Sequence, residues 1–137
     1  MSRASVNFLR TVVLVIAATG VLGTSSPGTA AEKLSLSNKW RIECSEGANS
    51  DGIVQFRVTP EGGAPVDVQI PIKDGRGENG VARDIRDGLR KGLDKDRYHI
   101  ETDDGEDVLV KKRKGPDFEL KLISSTVKSV RFNVEKE

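Results

Sequence analysis

The chain has 137 residues, with 22 Lys and Arg against 21 Asp and Glu, one Cys and one His. A balance this close supplies no general attraction to nucleic acid or to an anionic membrane surface, so neither is an expected partner. A single Cys, Cys44, excludes any internal disulfide, and the fold must stand on its hydrophobic core alone.

The first 31 residues read as a secretory signal peptide. Arg3 and Arg10 come without an acid, Thr11 to Leu22 is almost wholly apolar, and the small residues of GTSSPGTAA follow. Thr29 and Ala31 suit the two small-side-chain positions, which places cleavage after Ala31, with Ala30 as the neighbouring alternative. The apolar run of about 12 residues is short of the roughly 18 a spanning helix needs. No Cys closely follows it and no Arg pair precedes it, which favours general export over a lipid anchor or the twin-arginine route. Without Arg3 and Arg10 the exported part, 32–137, keeps 20 bases and 21 acids, a net charge of −1. No membrane span is expected there. With no Asn-x-Ser/Thr sequon and no disulfide, a bacterial periplasmic or secreted setting is expected.

Residues 32–39 form a polar lead-in to a single domain over 40–137. KWRIEC alternates with period two, placing Trp40, Ile42 and Cys44 on one face. After the turn-rich SEGANSDG, IVQFRVT sets Val54, Phe56 and Val58 inward. Past PEGGAP, VDVQIPI alternates through Val66, Val68, Ile70 and Ile72, and Pro71, lacking a ladder donor, marks a strand end or an edge. ENGVARDIRDGLRKGL is the one helix, with Val81, Ala82, Ile85, Leu89 and Leu93 as its apolar stripe. Gly88 and Gly92 fall inside that stripe at about 1 kcal/mol each relative to Ala. They imply either close approach of the helix to a sheet or fraying near Gly88. Arg83, Arg86 and Arg90 share the opposite face, a candidate partner surface, with Asp87 at i,i+4 spacing from Arg83 and Lys91.

Alternation resumes in RYHIET, where Tyr98 and Ile100 oppose His99. An Asp-Gly pair then predicts a tight two-residue hairpin, and DVLVKKR returns from it. FELKLIS points Phe118, Leu120 and Leu122 inward, and SVRFNV does the same for Val130, Phe132 and Val134. The expected fold is α+β, one helix packed on a largely antiparallel sheet in the order β-β-β-α-β-β-β-β.

Two charged clusters flank the predicted hairpin. Asp103, Asp104, Glu106 and Asp107 carry enough oxygens to raise calcium, but they miss the D-x-[DN]-x-[DN]-G pattern and sit where a turn wants polar residues. Lys111, Lys112, Arg113 and Lys114 are the candidate anion contacts. On a strand they would alternate faces, and no aromatic platform accompanies them. The expectation is an edge strand guarded by lysines, binding neither calcium nor polyanion. Nucleophilic chemistry lacks its parts: Cys44 reads as core, His99 as outward-facing, no G-x-S-x-G is present, and DGRGENG lacks the Lys-Ser/Thr of a nucleotide loop. No cofactor is expected. The sequence therefore favours an exported, non-enzymatic module binding an unknown protein or surface ligand. The alternative is a small secreted hydrolase or inhibitor with an unconventional site.

Overall fold

Three strands precede the helix and four follow it: β1 (Lys39–Ser45), β2 (Gly52–Pro60), β3 (Val66–Ile72), α1 (Glu78–Gly92), β4 (Tyr98–Asp103), β5 (Asp107–Lys112), β6 (Phe118–Ser125) and β7 (Arg131–Lys136). This is a small α+β domain in the expected element order. The computed structural model describes residues 32–137; the expected signal peptide lies outside them. Lys33–Glu137 forms one compact unit.

The strands divide between two antiparallel sheets, ordered β4-β5-β1-β7 and β3-β2-β6. Period-two alternation defines an inner face on each, and burying both inner faces against each other is what makes a sandwich. Trp40, Ile42, Cys44, Val108 and Val110 come from the first sheet, Val54, Phe56, Val58, Ile70, Phe118 and Leu120 from the second, and all are buried. Two edge-to-face aromatic pairs cross between the sheets: Phe56 with Phe132 at 6.0 Å, and Tyr98 with Phe118 at 5.0 Å. The buried Trp40 indole donates from Nε1 to the Phe118 carbonyl at 2.9 Å, which satisfies its only polar atom.

The helix touches β3 of one sheet and β4, β5 and β1 of the other. Its stripe of Val81, Ala82, Ile85 and Leu89 is fully buried. Gly77 caps its start without a side-chain hydrogen bond, and Leu93 N–H closes its end on the Leu89 carbonyl. Gly88 and Gly92 are a close-approach device rather than a fraying point. A Cβ at Gly88 would lie 2.5 Å from Ile70 Cγ1, and one at Gly92 would lie 2.7 Å from Val68 Cγ2. Both neighbours are on β3, an edge strand, which is also where Pro71 is tolerated.

Several expectations are corrected. The basic run does not guard an edge, because β5 lies between β4 and β1. Asp103 pairs with Asp107, so the β4–β5 loop holds three residues rather than two. Asp104 and Gly105 both adopt positive φ there, 47° and 82°, and a Cβ at Gly105 would meet the Asn79 side chain on the first helical turn. Val66 and Leu122 were expected inward, yet both are exposed. Leu122 adjoins a register shift between β2 and β6 that leaves Ile123 as an extra residue, and such a bulge turns side chains away from strict alternation.

Candidate functional site

The outer face of the four-stranded sheet shows how most charges are used. β1 carries Lys39 and Arg41, β5 carries Asp107 and Lys111, and β4 carries His99, Glu101 and Asp103, all on the same side by register. Arg41 pairs with Asp107, Glu137 and, at 3.4 Å, Asp103. Hydrogen bonds that Arg41 donates to Asp107 first and Glu137 second hold its guanidinium more firmly protonated than usual. Lys39 also pairs with Glu137, whose carboxyl is lowered by Lys39 and then Arg41. The stems of such long side chains can cover apolar surface, and Leu109 is buried among them on this otherwise polar face.

This arrangement decides the fate of the acidic cluster. Asp103 and Asp107 are consumed by Arg41. Asp104 forms the exposed turn, and Glu106 contributes its backbone carbonyl to Cys44 N–H at 3.2 Å. Among the described residues no group of three or more His, Cys, Asp or Glu is placed to hold a metal ion.

The basic run divides. Lys111 pairs with Glu101, and Lys112 donates to Asp117 at 2.7 Å. Arg113 and Lys114 lie past the end of β5, both exposed, with their backbone N–H groups on the Arg97 carbonyl at 2.7 and 3.3 Å. That tether carries Arg113 to the free side of β4, where Nη2 donates to His99 Nδ1 at 2.7 Å. A guanidinium can only donate, so Nδ1 accepts and Nε2 carries the ring proton, donated to Glu101 at 2.9 Å. Glu101 is held in turn by Lys111, then His99, and its carboxyl is lowered in that order.

The arginine face also divides. Arg83 donates to the Asn79 carbonyl of its own helix, and Arg86 to Asp87. Arg90 leaves the helix sideways and donates from Nε to the Ile100 carbonyl on edge strand β4 at 2.9 Å. It is a strut between helix and sheet as well as a surface charge.

Arg90 and Arg113 thus meet in a cleft of about 800 Å³ between the C-terminal half of α1 and β4, whose lining also includes Asp87, Lys91, Lys95, Tyr98, His99 and Ile100. Four basic side chains face one carboxylate. Asp87 is already engaged by Arg86, which lowers its carboxyl ahead of smaller contributions from Arg90 and Lys91. Arg90 and Lys91 complement the negative end of the helix dipole, which accounts for their presence on its last turn. Lys95 and Arg113 lie outside the helix and have no such reason. Sequence reading named Arg90 and Arg113 in separate groups and missed Lys95, Tyr98 and His99. The available signal was the density of bases in LRKGLDKDR around the helix end.

Cys44 and His99 cannot act together. Cys44 is buried on the inner face of β1, and His99 is on the outer face of β4, with β5 between them. Burial, followed by the charges of Asp107, Glu43 and Glu106, pushes the Cys44 thiol up to about 12.

No protein-family model matches the chain, and no curated protein matches it at a significant level. Among the described residues no helix is long and apolar enough to cross a membrane.

Proposed function

We propose that this protein is a small exported binding domain, periplasmic or extracellular, that acts without catalysis and captures an anionic ligand or an anion-bearing protein or surface in the α1–β4 cleft. The observation that carries this reading is the cleft's lining, with Arg90, Lys91, Lys95 and Arg113 against Asp87 alone. Its floor is apolar, supplied by the largely buried Tyr98 and Ile100, and cations over low-dielectric walls focus their field on an anion more strongly than the same charges on a flat surface. The non-catalytic part of the reading is supported by a thiol sealed in the core and an imidazole occupied on both nitrogens.

The test is capture from the exported fraction on immobilised protein at low salt, beside the variant with Arg90, Lys91, Lys95 and Arg113 all changed to Gln. An anionic species that is retained by the wild type, released as salt rises and absent with the variant supports the reading; exposed charges are screened within about 8–10 Å at physiological salt. Equal retention by both proteins places binding elsewhere and ends it. Export is checked on the same material: N-terminal sequencing should begin at Glu32 or one residue away, and an intact Met1 would contradict it.

A further inference from the structure

The cationic cleft also carries information about the chemistry of its ligand. Residues 32–137 contain nine arginines. Arg41, Arg57, Arg76, Arg86, Arg97 and Arg131 each form an ion pair with a carboxylate. Among the described residues Arg83, Arg90 and Arg113 do not, and two of these three line the α1–β4 cleft. In a surface that pairs its arginines so consistently, leaving these two without an acid marks the place where a charge partner comes from outside.

Both guanidiniums are positioned by neutral acceptors rather than neutralised. Arg90 uses Nε on the Ile100 carbonyl, leaving both terminal nitrogens for other partners. Arg113 uses Nη2 on His99 Nδ1, and the imidazole is fixed from behind by Glu101, itself held by Lys111. A guanidinium anchored through one nitrogen keeps its charge and a planar set of donors whose spacing matches two oxygens of one phosphoryl, sulfuryl or carboxylate group. Lys91 and Lys95 add point charge without that directionality.

We infer that the cleft recognises a small ligand bearing at least two tetrahedral oxyanion groups, phosphate or sulfate, with Arg90 and Arg113 reading the oxygens and Lys91 and Lys95 supplying charge. This rests on the anionic-ligand reading above and deepens it. The lining holds four cations, one carboxylate and an imidazole that accepts from Arg113, an excess of three positive charges. A phosphoryl group carries about −1.5 to −2 near neutral pH, so two such groups match that excess, and sulfuryl groups of about −1 each need three to do so. A volume of about 800 Å³ falls within the range of small-molecule sites.

The experiment is calorimetric titration of the exported protein with three probes at low salt: tripolyphosphate, sucrose octasulfate and citrate. One or both of the first two should bind, with citrate at least about tenfold weaker, because a carboxylate has only two oxygens, both taken by one guanidinium, whereas a phosphoryl or sulfuryl group keeps a further oxygen for Lys91 or Lys95. Tripolyphosphate alone would identify a phosphate ligand, and sucrose octasulfate alone a sulfate ester. Arg90→Lys and Arg113→Lys keep the charge and should each weaken binding by about tenfold, while Lys91→Arg and Lys95→Arg change it less than about twofold. Arg113 is exposed and past the end of its strand, so its variant tests the inference even where Arg90→Lys lowers stability. Citrate binding as tightly as the others, or Arg→Lys variants equal to wild type, would overturn the oxyanion readout and leave a general anion cleft. No binding of any probe by the wild type would overturn the inference, and with unchanged low-salt capture it would leave the broader reading intact.

Discussion

The helix meets its two flanks by opposite means. Toward β3 it offers Gly88 and Gly92, whose missing side chains let its backbone rest against Ile70 and Val68. Toward β4 it offers Arg90 and Lys91, long and charged, and the gap they span stays open as a cleft. The first contact is apolar and close at Gly88 and Gly92, with a smaller groove of about 510 Å³ along its rim; the second is bridged by one hydrogen bond and lined with uncompensated charge. A single helix can therefore seal a core on one side and hold a site on the other, provided the seal does not depend on the residues of the site.

That division of labour can be broken or sharpened by experiment. The largest expected effect concerns the core that the helix covers. With its thiol pushed up to about 12 by burial, Cys44 should hold on the order of 10³ less thiolate at pH 8 than a free thiol. Labelling should be slow in native buffer and rapid in denaturant. Rapid native labelling would show that the core is not sealed. Next, Gly88→Leu should destabilise by about 1–3 kcal/mol through overpacking against Ile70, after an opposing gain of about 1 kcal/mol in helix propensity. Denaturant unfolding measures the change, and a stabilised variant would remove the close contact on which the comparison rests.

On the open side the effects shrink. Arg90→Met gives up the hydrogen bond to the Ile100 carbonyl and should cost about 0.5–1.5 kcal/mol. Lys91→Met and Lys95→Met, without such a bond, should stay within about 0.5 kcal/mol. A loss at either lysine equal to that at Arg90 would make the cleft part of the structural frame. The smallest effect is a pH dependence at β4. Glu101 has its carboxyl lowered by Lys111 and then His99. A carboxyl lowered in the folded state contributes stability above its unfolded value of about 4.3 and loses it as pH falls through the lower folded value. Glu101→Gln should therefore lower Tm slightly at pH 7 and flatten the decline of Tm on acidification below about pH 4.3. An unchanged acid profile would mean that this chain of contacts does not hold His99 in place.

What the sequence by itself determined was local. The alternation from Trp40 through Ile42 to Cys44 follows from the pleat of a single strand, and the stripe from Val81 to Leu89 follows from the pitch of a single helix, so neither needs a neighbour to be legible. The same logic located the close approach at Gly88 and Gly92, because a costly residue inside an apolar stripe implies a packing reason. Only the tertiary structure decided that the strands form two sheets, that β5 is central, and that Arg90 and Arg113 share a cleft while Lys111 and Lys112 are paired away. Periodicity reports which face of a strand is buried and carries no information on which edge is paired. Edge pairing is settled by the register between residues far apart in the chain, such as Trp40 opposite Val110 and Cys44 opposite Phe132. The site shares that origin. It assembles where a helix end, an edge strand and the overhang of a central strand converge, which no stretch of sequence contains.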